Sequence, residues 1–181
     1  MLLWLAVMAA IVFVDQLSKW LIVTYLPDGG VNIIKGVFRF TYVENRGAAF
    51  GMLSNNRWVF LIISTLAIIL LLVYMFKWRP ESKLGCTALS FIIGGGIGNM
   101  IDRVLLGYVI DFLDFCAFPK LWMWVFNVAD AFVCVGAGML ILYLVLETVK
   151  EIKAEKAKKE LGENAAESEE KNEESETDGN S

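Results

Sequence analysis

Nineteen consecutive residues, Trp58 to Phe76, carry no charge. At ~1.5 Å of rise per residue, a helix of that length reaches across the ~30 Å hydrocarbon core of a bilayer. Leu84 to Ile101 adds a second uncharged run and continues to about Leu105. Met1 to about Leu21 is apolar until Asp15, and the run leading to Leu146 contains one charge, Asp130. These runs predict an all-α membrane protein with four transmembrane helices, at about 1–21, 58–76, 84–105 and 123–146.

Composition agrees. The 181 residues are 57% hydrophobic, whereas a soluble domain is about 45–50% apolar. The net charge of −4 comes from the end of the chain, where residues 150–181 hold 6 Lys against 11 acids. The body before it is close to neutral, and no basic stripe invites nucleic acid. There is no histidine. That excludes a Ser-His-Asp triad, a Cys-His pair and any His-ligated zinc site. Cys86, Cys116 and Cys134 lack a CxxC spacing and read as apolar filler. The first segment is similar to a signal peptide, but no charged region precedes its apolar run and Asp15 and Lys19 interrupt it. It is read as a retained span.

Lys and Arg set the direction. The 2–3 loop carries Lys77, Arg79 and Lys83, and Lys150, Lys153, Lys156, Lys158 and Lys159 follow the fourth span. The 3–4 loop has only Lys120, and the four cations of the 1–2 loop are spread over some thirty residues. The positive-inside rule then places both termini in the cytoplasm. In the 1–2 loop, about 27–56, Phe38, Phe40 and Tyr42 alternate with Arg39 and Thr41 after a Pro27-Asp28-Gly29-Gly30 turn signal. This predicts a small β-rich extracytoplasmic subdomain between helices 1 and 2. Residues 1–149 are expected to form the membrane domain, and the Glu-, Lys- and Asn-rich 150–181 a disordered cytoplasmic tail.

In this frame the embedded polar residues collect at the outer side. Asp15 and Lys19 share a helix face at i and i+4, as do Asn99, Asp102 and Arg103 at i, i+3 and i+4. Asp111 follows span 3, Asn127 and Asp130 open span 4, and Asn45 sits in the outer loop. Plainer roles exist for most of them. Asp15 with Lys19, and Asp102 with Arg103, can be structural ion pairs. Asn45 and Asn127 can cap turns. Gly94, Gly95, Gly96 and Gly98 suit close helix packing, and Phe118, Trp122 and Trp124 an aromatic belt. Asp111 and Asp130 resist such readings. A charge costs ~2.5–3.5 kcal/mol at the centre of a membrane helix. Two such acids at neighbouring span ends can share one proton, which is the chemistry of an aspartic peptidase.

Five motifs then occur in order: Asp15-Gln-Leu-Ser-Lys19, Glu44-Asn-Arg-Gly-Ala-Ala-Phe-Gly51, Gly95-Gly-Ile-Gly-Asn-Met-Ile-Asp-Arg103, Val109-Ile-Asp-Phe-Leu113 and Phe126-Asn-Val-Ala-Asp130. The chain resembles bacterial lipoprotein signal peptidase, also called signal peptidase II, over residues 1–147. The resemblance implies removal of signal peptides from diacylglyceryl-modified prolipoproteins, before the lipidated cysteine, at the inner membrane. It implies Asp111 and Asp130 as catalytic residues, with no metal and no organic cofactor. It implies Asn45, Asn99, Arg103 and Asn127 as supporting or substrate-contacting residues, and Asp15, Lys19 and Asp102 as shaping the site. Gly47 and Ala129 lie inside the motifs and go with the supporting set. The chain departs from the common pattern at Ala131 and Trp124, and neither change removes a catalytic group. Partners implied are the prolipoprotein substrates and membrane lipids, and a self-contained site is expected to work as a monomer. The strand-rich loop is expected to clamp over substrate, with Gly36, Gly47 and Gly51 giving freedom. Two other classes also use such residues. An ion-coupled transporter needs polar groups continuing to the cytoplasmic side, which spans 2 and 4 lack. A scaffold does not need two separated acids at one depth.

Overall fold

The computed structural model describes residues 1–47, 57–78, 80, 82–117 and 124–178, with side chains from Arg57, Phe60 and 160–178 excepted. The end of the expected clamp loop with Gly51, and the belt residues Phe118 and Trp122, lie outside these residues. Helices α1 (Leu2–Tyr25), α2 (Arg57–Lys77), α3 (Lys83–Leu105) and α4 (Val128–Asp178) alternate with strands β1 (Val31–Ile34), β2 (Phe38–Asn45), β3 (Val109–Phe115) and β4 (Val125–Phe126). Among the described residues, α1, α3 and Val128–Lys159 of α4 are long and apolar enough to cross a membrane. The qualifying stretch of α2, Leu61–Lys77, is shorter.

The chain divides into two units, 1–140 and 141–181. The first is built inside out relative to a water-soluble domain. Asp15, Lys19, Asp102, Asp111 and Asn127 are buried, while Phe13, Ile62, Leu66 and Leu70 are exposed. Burying charges while exposing large apolar groups suits a lipid surround and not water. Met8, Ile68, Met75, Leu89 and Ile93 form a core joining α1, α2 and α3. The glycines of α3 let neighbouring helices approach. A Cβ on Gly94 would stand 3.0 Å from that of Ile11, and one on Gly95 would strike the Ala129 carbonyl oxygen.

Helix α1 runs four residues past the expected end. Leu21-Ile-Val-Thr-Tyr25 continues the apolar pattern, and the helix stops at Leu26, which is extended (φ −73°, ψ 121°) ahead of Pro27. A residue before proline is sterically kept out of the helical region.

The β-rich part is larger than the 1–2 loop. It is one antiparallel four-stranded sheet in the order β1-β2-β3-β4, so half its strands come from between α3 and α4. Phe40 pairs with Leu113, Val43 with Asp111 and Asn45 with Val109, with an irregularity between Phe40 and Val43. Ile22, Ile110 and Phe112 make a second core, against which Leu26, Phe40 and Val128 pack. This core seats the sheet on the end of α1 and the start of α4, and so locates Asp111.

The fourth helix starts at Val128 rather than near 123. Val125 and Phe126 instead pair with Asp114 and Leu113 of β3. Asn127 then caps the helix: its Oδ1 accepts from the Asp130 amide at 2.9 Å, and Asp130 Oδ2 accepts from the Asn127 amide at 3.3 Å. This reciprocal pair is a capping box. In the second unit, α4 remains helical to Asp178, where disorder was expected. The segment is poor in apolar residues, but Glu, Lys and Ala dominate it, and all three favour a helix.

Candidate active site

Five elements deliver the polar residues to one place. Helix α1 brings Asp15, Gln16 and Lys19. Helix α3 brings Asn99, Asp102 and Arg103. Strand β3 supplies Asp111, and the first turn of α4 supplies Asp130. Asn45, at the end of β2, lies diagonally across the sheet from Asp111, because Asp111 pairs with Val43. Side chains two residues apart on a strand share a face, so the diagonal is within reach.

Three asparagine amides serve the two carboxylates, and each is aimed by a bond on its oxygen. Asn45 Oδ1 accepts from the Gly47 amide at 3.1 Å, which leaves its Nδ2 to donate to Asp111 Oδ2 at 2.8 Å. Asn127 Oδ1 caps α4, so its Nδ2 donates to Asp111 Oδ1 at 2.6 Å and to Asn99 Oδ1 at 3.0 Å. Asn99 Oδ1 also accepts from Lys19 Nζ at 3.1 Å, and its Nδ2 donates to Asp130 Oδ1 at 2.7 Å. A side-chain amide has one acceptor and one donor end, so fixing the oxygen fixes which end meets the carboxylate.

Asp111 is buried and Asp130 half-buried, and both oxygens of each accept hydrogen bonds. Burial pushes the Asp111 carboxyl up, donation from Asn45 and Asn127 opposes this, and the charge of Asp130 raises it further, to about 6. A carboxyl poised there can hold or release a proton near neutrality. Arg103 donates from Nη1 to the Asn99 carbonyl oxygen at 3.3 Å and feels the charges of Asp130, Asp111 and Asp102.

Behind the two aspartates lies an ion cluster. Lys19 Nζ is 2.8 Å from Asp15 Oδ2 and 2.8 Å from Asp102 Oδ2, and all three residues are buried. The Asp15–Lys19 ion pair thus exists, and it lies in the interior. Asp102 pairs with Lys19 and not with its neighbour Arg103, because adjacent residues on a helix point apart. The cluster also holds backbone. Asp15 Oδ1 accepts from the Ala129 amide at 2.9 Å, and Asp102 Oδ2 from the Ile110 amide at 3.1 Å.

Sequence reasoning passed over Gln16. Its Nε2 donates to Asp102 Oδ1 at 2.9 Å, and to Asp15 Oδ2 and the Gly98 carbonyl oxygen at 3.2 Å each. A polar residue inside an apolar helix, beside two charged ones, was the available signal. Gly98 has a defined part as well. A Cβ there would lie 2.6 Å from Asp15 Oδ2, a carboxylate with no slack to move. Gly98→Ala is therefore expected to cost about 1–3 kcal/mol. Thermal unfolding in detergent checks this, and a melting temperature equal to wild type would show that Asp15 can yield.

A model of the family described as Signal peptidase (SPase) II matches residues 7–146, which include every residue of this cluster. A lipoprotein signal peptidase of Caldanaerobacter subterraneus subsp. tengcongensis is 50% identical over 137 residues, covering 75% of this chain and 91% of the relative. One from Clostridioides difficile is 42% identical over 144 residues, covering 79% and 95%. A solved chain described as a bacterial membrane enzyme, determined by the in meso method, matches with a TM-score of 0.74 at 32% identity. The match covers 80% of this chain and 88% of the solved one.

Proposed function

The chain belongs to the signal peptidase II family, and from that premise we propose that it is an aspartic endopeptidase of the bacterial inner membrane. Its substrates are diacylglyceryl-modified prolipoproteins, the bond cut is the one before the lipidated cysteine, and the process served is lipoprotein maturation. The observation that carries this reading is that three aimed asparagine amides, joined through Asn127 and Asn99, hold the carboxylates of Asp111 and Asp130 in one hydrogen-bond network.

The chemistry follows from two carboxylates that share a proton. The ionised one draws a proton from water as the oxygen attacks the scissile carbonyl carbon. The protonated one donates to the carbonyl oxygen as it gains charge. In collapse of the tetrahedral intermediate the leaving nitrogen takes up a proton, and the pair returns to its starting state. Asn45, Asn99 and Asn127 hold the carboxylates, and Arg103 balances their charge. Neither step calls for a metal or an organic cofactor.

The site belongs at the extracytoplasmic face, with both termini in the cytoplasm and α2 as the second of four spans. A lipidated cysteine and an apolar signal helix both partition into the bilayer, so substrate arrives laterally. The strand-rich loop around residues 31–50 acts as the clamp over bound substrate. The enzyme works as a monomer.

The test is cleavage by the purified full-length protein. A diacylglyceryl-modified prolipoprotein is expected to be cut before its modified cysteine, and the same precursor without lipid to remain intact. Failure on the lipidated precursor, or equal cutting of both, would overturn the proposal.

A further inference from the structure

The backbone bonds of the ion cluster fall on matching positions. Asp102 accepts the amide of Ile110, the residue before Asp111. Asp15 accepts the amide of Ala129, the residue before Asp130. Each reactive aspartate is thus hung from a buried carboxylate one peptide away, and the distance between those two carboxylates sets the distance between the reactive ones.

Lys19 and Gln16 join the two supports. Lys19 Nζ donates to Asp15 Oδ2 and Asn99 Oδ1 and forms an ion pair with Asp102 Oδ2 at 2.8 Å. That grips one oxygen of Asp102. Gln16 Nε2 grips the other, Oδ1, at 2.9 Å, and reaches Asp15 Oδ2 at 3.2 Å. The χ2 torsion of an aspartate is soft, so a carboxylate held at one oxygen can still turn. Held at both, it cannot, and the acceptor for the Ile110 amide stays in place.

Resting on the reading of Asp111 and Asp130 as the reacting pair, we propose that Gln16 is a positioning residue for the cleavage reaction. It locks Asp102 against rotation and ties it to Asp15, so that β3 and the start of α4 carry their aspartates at a constant separation. Gln16 touches neither reactive carboxylate and acts through Asp102 and Asp15. The plainer alternative is a staple between α1 and α3 through the Gly98 carbonyl oxygen, also 3.2 Å away. A staple affects stability and not the turnover of folded molecules.

Two variants of nearly equal shape separate these roles. Gln16→Met removes the donor. Gln16→Glu replaces it with an acceptor facing Asp15 and Lys19 on its own helix and Asp102 on α3. Each is compared with wild type, full-length in detergent, for kcat and KM on diacylglyceryl-modified prolipoprotein across pH, and for hydrogen exchange at the Ile110 and Ala129 amides. Gln16→Met is expected to lower kcat about tenfold with KM unchanged, and to speed exchange at both amides. Gln16→Glu is expected to lose more at neutral pH and to recover in acid, where the introduced carboxyl is protonated and donates again. Turnover within about twofold of wild type, or equal losses in both variants at every pH, would overturn the proposal. If wild type itself does not cleave, the functional reading fails, and exchange alone decides this one: faster exchange supports the lock and unchanged exchange refutes it.

Discussion

Lys19→Met is expected to destabilise the protein by about 3–5 kcal/mol, the range for removing one partner of a buried ion pair. Met fills nearly the same space, so packing is preserved and the loss is electrostatic. Asp15 is 0% and Asp102 3% exposed, and Lys19 lies 2.8 Å from a carboxylate oxygen of each. Without the ammonium, two carboxylates face each other where neither can be hydrated. Asn99 loses one of the two donors on its Oδ1 as well, which leaves Asn127 Nδ2 to orient the amide that serves Asp130. Thermal unfolding in detergent measures the loss. A cost below about 1 kcal/mol would mean that the cluster is hydrated, as surface pairs are. Neutralising both acids in the same protein (Asp15→Asn and Asp102→Asn with Lys19→Met) should recover part of the loss. Residues in one network combine non-additively, and this recovery is the sign of it.

Asp111→Asn and Asp130→Asn are each expected to lower cleavage roughly a hundred- to ten-thousandfold, the usual worth of a general acid or base. Either variant working at near wild-type rate would exclude its residue from the chemistry. For Asp111 a stability measurement runs in the opposite direction. Its carboxyl is raised from 3.8 to about 6 in the folded protein, first by burial. The folded state therefore holds this proton more tightly than the unfolded chain does. Ionising Asp111 costs nothing below the unfolded value, and the cost is complete above the folded one, reaching about 3 kcal/mol. Asn does not titrate. The stability of Asp111→Asn relative to wild type should rise by about that amount between about pH 4 and pH 7. A difference that is flat with pH would show that Asp111 does not titrate in this range. Loss of activity with gain of stability would mark Asp111 as a residue kept for chemistry at the expense of the fold.

The site was more legible in the sequence than the frame that holds it. Asp15, Lys19, Asn99, Asp102, Asp111, Asn127 and Asp130 stand out because each interrupts apolar sequence, and the structure brings them together. Helical spacing also put Asp15 with Lys19 correctly. What failed was whatever depends on partners far along the chain. The residues from Val109 to Phe115 are β-branched and aromatic enough to suggest a strand, but no local signal says that this strand joins the β1–β2 hairpin. Val125 and Phe126 were read into the fourth span because hydropathy does not separate a short strand from the first turn of a helix. Asp102 was matched with Arg103 by adjacency, when its cation comes from α1, 83 residues away. Gln16 carries no charge and drew no attention, and only its three acceptors give it meaning. Residues 150–178 were judged by their lack of apolar groups, which argues against a packed core but not against a helix.

The contributors to the buried cluster also set an order of events during synthesis. The first helix enters the bilayer with Asp15 and Lys19 one turn apart, so it arrives already neutralised. The third helix then delivers Asp102 to an ammonium that has protons to spare. The last, α4, is docked by Asp15 through the amide of Ala129. Neither charged support waits unpaired for a partner still on the ribosome, and Asp111 and Asp130 come to face each other only after the scaffold beneath them is complete. On the proposed reading of Asp111 and Asp130, a protease assembled in that sequence has no reactive pair until α4 has been made.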